Sequence, residues 1–236
     1  MVPPDDSDGR LSLFQRSFPA FTKGPNMSDR DLDYLQRLHR NPAALLLELE
    51  QLGNYDDVPI VDRATGRLLS TLVHAMQANR ILELGTAYGY STLWMALAMP
   101  PNGRIWTVDP DRARTAIAQQ FLERAGKAGA VNIINQPALD ILRSFPQRNV
   151  DVVFIDAVKT EYLDYLNLIV PLVKPSGLVI VDNLLWSGRS ATEPDSTDSS
   201  ETRAIREFNR AFLNHPQLES TIVPIGDGIG IGARVE

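Results

Sequence analysis

A chain of 236 residues, 44% hydrophobic and 22% charged, has the composition of a globular protein long enough to bury a sizeable core. Its net charge of −6 and pI near 5.1 disfavour a nucleic-acid scaffold, and the lack of cysteine excludes disulfides, thiolate metal sites and a cysteine nucleophile. No apolar run reaches membrane-spanning length, and the opening residues lack the basic and apolar regions of a secretion signal, so a cytoplasmic protein without a membrane partner is expected.

Residues 1–10 are polar, with Pro, Asp and Gly, and are expected to be disordered. Leu11 to Asn26 sets Leu13-Phe14, Phe18 and Phe21 among Pro and Gly, which reads as an arm that docks on its own domain or on a second subunit. Residues 1–27 are therefore read as a flexible arm and residues 28–236 as one domain. Ser28 is placed to cap a helix whose Asp29 and Asp31 suit the positive helix end, with Leu32, Leu35 and Leu38 at helical spacing. Asn41-Pro42 reads as a cap with proline at the first helical position, opening a second helix that runs through Leu52 and ends at Gly53. A third helix is predicted from about Asp62 to Ala78, with Leu68, Leu69, Leu72, Val73 and Met76 on one face.

From Arg80 the pattern alternates, so residues 28–78 supply helices and residues 79–236 a layered core. Strand Ile81–Leu84 precedes helix Ser91–Ala98, strand Arg104–Val108 precedes helix Asp111–Ala125, and strand Val131–Ile134 precedes a short helix near Leu139–Ser144. Strand Val150–Ile155 precedes helix Glu161–Leu172, and strand Gly177–Val181 leads through a Ser, Thr and Asp-rich stretch, read as a mobile loop, to helix Glu201–Leu213. This order predicts an α/β fold with a parallel sheet, helices on both faces and ligands at the carboxyl ends of the strands. Glu219–Ile225 and Ile229–Val235, joined by Gly226-Asp227-Gly228, read as a closing antiparallel hairpin.

The stretch Ile81-Leu82-Glu83-Leu84-Gly85-Thr86-Ala87-Tyr88-Gly89-Tyr90-Ser91 runs from buried strand through a glycine turn to a helix start, with Ser91 read as near the N-cap. Such a turn admits a ligand close to backbone and offers free N–H groups to an anionic part of it. The spacing Glu-x-Gly-x-x-x-Gly is neither the dinucleotide fingerprint nor a P-loop. It resembles motif I of S-adenosylmethionine-dependent methyltransferases. Asp109, ending the second strand, is placed to accept hydrogen bonds from a ribose over the turn or to cap the helix ahead of Pro110.

Phe154-Ile155-Asp156-Ala157-Val158-Lys159 ends strand four, and Val181-Asp182-Asn183-Leu184-Leu185-Trp186-Ser187-Gly188 follows strand five. Neighbouring parallel strands bring Asp156, Asp182 and Asn183 to one edge, and three hard oxygen donors without His or Cys suit Mg²⁺ or another divalent cation such as Mn²⁺ or Ca²⁺. Taken singly, Asp156 could cap a helix, Asp182-Asn183 could be a turn and Lys159 a solvated lysine. His39, His74 and His215 match no zinc spacing.

Together the two motifs resemble the cation-dependent catechol and caffeoyl-coenzyme A O-methyltransferases, over roughly Asp29 to the C-terminus. The resemblance implies a Rossmann-like methyltransferase fold, a mostly parallel seven-stranded sheet, S-adenosylmethionine as methyl donor and a homodimer. It implies that Asp156, Asp182 and Asn183 bind the metal, that Lys159 is the general base, and that Asp156 also lies near the cofactor. It further implies cofactor contacts by Val61, Glu83, Gly85, Thr86, Ser91, Asp109 and Ala138, the last lining the adenine pocket. Val158 stands where many relatives that accept coenzyme A esters carry Asp, which argues against such an ester, and Trp186 with the loop after Gly188 is expected to wall the acceptor site. The expected reaction is methylation of a hydroxyl on a small vicinal-diol aromatic or similar chelating acceptor. The alternatives are a hydroxyl on a tRNA base, disfavoured by the acidic pI, and a non-catalytic S-adenosylmethionine-binding module, disfavoured by the intact metal motif. An NAD-dependent oxidoreductase is disfavoured by the glycine spacing.

Overall fold

The computed structural model describes residues 29–235. The expected N-terminal arm and the Ser28 cap lie outside the described residues. The chain divides into two units, Met1–Pro42 and Ala43–Glu236. In the first unit the described element is α1 (Asp29–Leu38), a helix with Arg37 in its last turn, where a cation is favourable.

The second unit opens with α2 (Ala44–Tyr55) and α3 (Arg63–Ala75). Two expectations are corrected here. Ala43, not Asn41, is the N-cap of α2, and the helix runs through Gly53 to Tyr55. A Cβ at Gly53 would sit 3.1 Å from Ile60 Cδ1, so this glycine serves close packing inside the helix and not its end. Asp62 caps α3, its carboxylate accepting the Thr65 N–H at 2.7 Å.

The alternating part follows as β1 (Arg80–Leu84), α4 (Tyr90–Ala98), β2 (Arg104–Val108), α5 (Arg112–Arg124), β3 (Val131–Ile134), α6 (Ala138–Leu142), β4 (Val150–Ile155), α7 (Tyr162–Ile169), β5 (Val173–Val181), α8 (Ser200–Leu213), β6 (Leu218–Val223) and β7 (Ile229–Arg234). The seven-stranded sheet has the order β3-β2-β1-β4-β5-β7-β6, with β7 antiparallel to both of its neighbours. The expected mixed sheet and closing hairpin are thus present. Strand β5 starts at Val173, earlier than Gly177, and its pairing with β4 shifts register between Val150 and Val152. The predicted seventh helix is shorter than Glu161–Leu172 because 3-10 turns, Lys159–Glu161 and Val170–Leu172, flank it, with Pro171 in the second.

Strand alternation sorts the core into two layers. Leu82, Leu84, Val153, Ile155, Val179 and Val181 pack with Tyr162 and Tyr165 of α7 and Phe208 and Phe212 of α8. Ile81, Val152, Phe154 and Ile180 pack with Leu69 and Val73 of α3, Leu93 and Met95 of α4, and Phe121 of α5.

The register aligns the carboxyl ends. Leu84 pairs with Val108 on one side and Ile155 on the other, Val108 with Ile134, and Ile155 with Val181. The next residue on each strand continues the ladder: Gly85 N–H donates to Val108 O, Asp109 N–H to Ile134 O, Asp156 N–H to Leu84 O and Asp182 N–H to Ile155 O, at 2.8 to 3.1 Å. Gly85, Asp109, Asp156 and Asp182 therefore form one row across the sheet.

Helix α3 meets α4 at Gly66, where a Cβ would stand 2.4 Å from Trp94 Nε1. Alanine is the better helix former by about 1 kcal/mol, but a clash with a buried ring costs roughly 1–3 kcal/mol. Gly66→Ala is expected to lower the unfolding midpoint; a rise in Tm would mean that the contact relaxes freely.

Candidate active site

A cavity of about 610 Å³ opens along the row of strand ends. On one side the turn after β1 is left-handed at Gly85 (φ 99°), Ala87 (φ 45°) and Gly89 (φ 79°). Gly85 has a second reason to be glycine, because a Cβ there would lie 1.9 Å from the carbonyl oxygen of Asp156. The turn closes through Gly89 N–H to Thr86 O at 2.7 Å, and Gly89 is the N-cap of α4. Ser91 is thus in the first turn of the helix, near the cap as expected.

Ser91 has another partner. Its hydroxyl donates to Glu83 Oε1 at 2.5 Å, while Thr107 Oγ1 donates to Glu83 Oε2 at 2.6 Å and Thr92 Oγ1 donates to the same oxygen. Glu83 is completely buried and does not line the cavity. It was expected to hold the turn and the cofactor's amino-acid region; β1 alternation turns it toward α4, where it ties the helix that follows the turn to β2. Burial pushes its carboxyl up to about 7, with the hydroxyl donors opposing part of the rise.

Asp109 faces the turn. Its Oδ2 accepts the Ala87 N–H at 2.8 Å and its Oδ1 the Asp111 N–H at 2.9 Å, so both oxygens are held in place. The cap of α5 is Asp111, which accepts the N–H groups of Ala113 and Arg114, so the helix-capping role considered for Asp109 belongs to its neighbour. Ala138, the first residue of α6, and Val61, just before the Asp62 cap, complete this side of the cavity.

The other side is charged. Lys159 Nζ donates to Asp156 Oδ1 at 2.8 Å and to the Tyr162 hydroxyl at 2.8 Å, and that hydroxyl donates to Asp182 O at 3.3 Å. Asp156 caps no helix, and Lys159 is mostly buried, neither the capping acid nor the solvated lysine considered from sequence. Asp182 is 5% exposed and accepts the Asn183 N–H at 2.6 Å. Burial, then the charge of Asp156, pushes its carboxyl up to about 7. Asn183 is itself left-handed (φ 65°), and Trp186 lines the cavity beyond it. Among the described residues no group of three His, Cys, Asp or Glu is placed to hold a metal. The donor set at this edge is two carboxylates and a carboxamide.

Val61, Gly85, Thr86, Ser91, Asp109, Ala138, Asp156, Lys159, Asp182 and Asn183 thus line one cavity, and Glu83 supports it from below. The sequence reading missed Tyr162, whose spacing of three from Lys159 puts it on the same side of a helical turn. It also missed Thr107, a hydroxyl on the buried face of β2.

Residues 41–235 match the model of a family described as O-methyltransferase. The chain belongs to this family. It is an S-adenosylmethionine-dependent O-methyltransferase of the caffeoyl-CoA and catechol O-methyltransferase type. It is 34% identical over 179 residues to a caffeoyl-CoA O-methyltransferase of Eucalyptus gunnii, covering 72% of each chain. It is 37% identical over 161 residues to a catechol O-methyltransferase of Niastella koreensis, covering 67% of this chain and 72% of that one. Among solved structures, the O-methyltransferase TomG of Streptomyces achromogenes, in complex with SAM, matches with a TM-score of 0.78 at 30% identity, over 86% of this chain and 95% of that one. An O-methyltransferase from Bacillus cereus, in complex with SAH, matches with a TM-score of 0.78 at 26% identity, over 86% and 96%.

Glu83 holds its proton more tightly folded than unfolded, so its contribution to stability is full below about pH 4.5 and is lost as pH rises through about 7. Glu83→Gln keeps the shape and cannot ionise. The stability of the variant relative to the parent is expected to improve between pH 5 and pH 8 in urea unfolding; a difference independent of pH would show that Glu83 titrates normally.

Proposed function

We propose that this O-methyltransferase moves the methyl group of S-adenosylmethionine to a hydroxyl of a small catechol-like or otherwise chelating acceptor, with Mg²⁺ or a similar divalent cation at the β4–β5 edge. The carrying observation is the convergence of Asp156, Asp182 and Asn183 beside Lys159, next to the glycine turn. The donor chemistry fits the cation. Two carboxylates in a buried corner leave Asp182 with a raised pKa, a shortage of positive charge that a hard dication would relieve. Asp156, Asp182 and Asn183 would hold it. The names of the catechol and caffeoyl-CoA relatives support an aromatic acceptor. Val158, apolar and 55% exposed on the cavity wall, supports a small one.

When bound, the cofactor supplies an electrophilic methyl and the cation favours the ionised form of a hydroxyl whose pKa as a phenol is about 10. The chain supplies position and proton management. Gly85 and Thr86 admit the cofactor against backbone, Asp109 offers its remaining lone pairs to the ribose, and Ala138 borders the base. Lys159 Nζ, aimed by Asp156 and Tyr162, accepts the acceptor's hydroxyl proton in its neutral form. The acceptor oxygen gains a bond to the methyl carbon as the carbon–sulfur bond breaks. Holding the two reactants together accounts for much of the rate.

Labelled S-adenosylmethionine with a catechol panel, Mg²⁺ or EDTA, and Asp182→Ala tests the reading. Transfer is expected to need the cation and to fall by about 100-fold or more in Asp182→Ala, and by about 10²–10⁴ in Lys159→Met, with cofactor binding retained. Transfer indifferent to EDTA would overturn the metal role.

A further inference from the structure

Arg206 on α8 does not line the cavity, yet it is 8% exposed and makes four hydrogen bonds. Its Nε donates to Ser190 O at 3.3 Å, its Nη2 to Arg189 O at 2.9 Å and to Thr192 Oγ1 at 2.8 Å, and its Nη1 pairs with Asp198 Oδ2. One planar guanidinium thus gathers three points of the loop after β5 and its far end onto a core helix. The stretch 191–200, read from sequence as a mobile loop, is tied down near both of its ends, at Thr192 and Asp198.

The tie reaches the cavity through Arg189. While Arg206 holds its carbonyl, the Arg189 guanidinium lies 4.9 Å from the centre of the Trp186 ring, and its Nε donates to Trp186 O at 3.2 Å. Trp186 Nε1 is buried and finds no hydrogen-bond partner among the described residues. The ring is therefore held by packing and by the backbone behind it. That backbone is left-handed at Trp186 (φ 51°), Ser187 (φ 52°) and Gly188 (φ 80°), a conformation that persists only where the surroundings impose it. Asp227 imposes it from one side, accepting the Ser187 N–H at 2.6 Å, and Arg206 from the other.

We infer that Arg206, locked by Asp198, is a positioning residue that sets acceptor affinity by holding the Trp186 wall through Arg189 and Ser190. This rests on the reading of Trp186 as acceptor wall, and it separates acceptor binding from cofactor binding, because the cofactor side of the cavity hangs on β1, β2 and α4 instead.

The test compares the parent with Arg206→Met, Arg206→Lys and Asp198→Asn. Acceptor kinetics with a catechol and Mg²⁺, S-adenosylmethionine Kd by calorimetry, Tm, and acrylamide quenching of Trp186 fluorescence are measured, with Trp186→Phe counterparts giving the Trp94 and Trp106 background to be subtracted. Arg206→Met and Asp198→Asn should raise the acceptor KM about tenfold, keep cofactor Kd within about twofold and expose Trp186 to quencher. Arg206→Lys should fall between, since an ammonium can reach Asp198 but not span the loop carbonyls. Unchanged KM and quenching would overturn the inference. So would cofactor and acceptor binding falling together in step with Tm, the pattern of a purely structural residue. If Arg206→Met does not fold, Asp198→Asn carries the test. If the parent methylates no catechol, the substrate reading fails, and quenching still decides whether Arg206 sets the wall.

Discussion

The site depends on one constraint: five parallel strands end in register. Because Leu84, Val108, Ile134, Ile155 and Val181 are laterally aligned, the residue after each emerges at the same level. The ladder continues one step further, so Gly85, Asp109, Asp156 and Asp182 are fixed by backbone hydrogen bonds before any side chain is considered. A slip of one residue in any strand would turn its carboxylate to the other face. Apolar residues packed on both faces of β1, β4 and β5 prevent that slip. The close approach of Gly85 to the Asp156 carbonyl then joins the turn to the charged edge.

Charge is distributed in two ways along this row. Glu83 sits under the turn with three hydroxyl donors and no cation, and its raised pKa records how poorly a fully buried carboxylate is compensated by neutral donors. Asp182 has the same problem at the edge, with a second carboxylate nearby to worsen it. The difference is access: Glu83 is sealed and acts as scaffold, whereas Asp156, Asp182 and Asn183 face the cavity. Tyr162 bridges the two strand ends, accepting from Lys159 and donating to the Asp182 carbonyl. It makes the lysine's position a property of the buried core.

What could be read from the sequence was whatever strand order determines. Asp156, Asp182 and Asn183 could be grouped because alternation of strands and helices implies parallel neighbours, and parallel neighbours share an edge. Helix ends were harder, because a cap is decided by which of several adjacent residues turns its side chain back. Asp111 rather than Asp109 and Ala43 rather than Asn41 each differ by two residues. Glu83 was expected, by likeness to a motif, to hold the turn and the cofactor's amino-acid region; that it is sealed beneath the turn follows from its face on β1. Arg206 and Asp198 were invisible: an arginine in a helix and an aspartate in a polar loop look solvated until the fold buries both.

The two sides of the cavity are therefore built on different physical terms. The glycine-turn side is backbone and short hydroxyl contacts between elements adjacent in the sheet, which leaves little freedom for change without loss of the turn. The Trp186 side departs from the sheet after Val181 and runs through left-handed Asn183, Trp186 and Ser187, each costing on the order of 1–2 kcal/mol against ordinary backbone. That cost is offset by side chains from distant segments, Asp227 in the β6–β7 turn and Arg206 in α8. A wall held by removable side-chain ties can be reshaped by substitution in the ties alone. The shape of that wall can therefore vary while the strand ends stay unchanged.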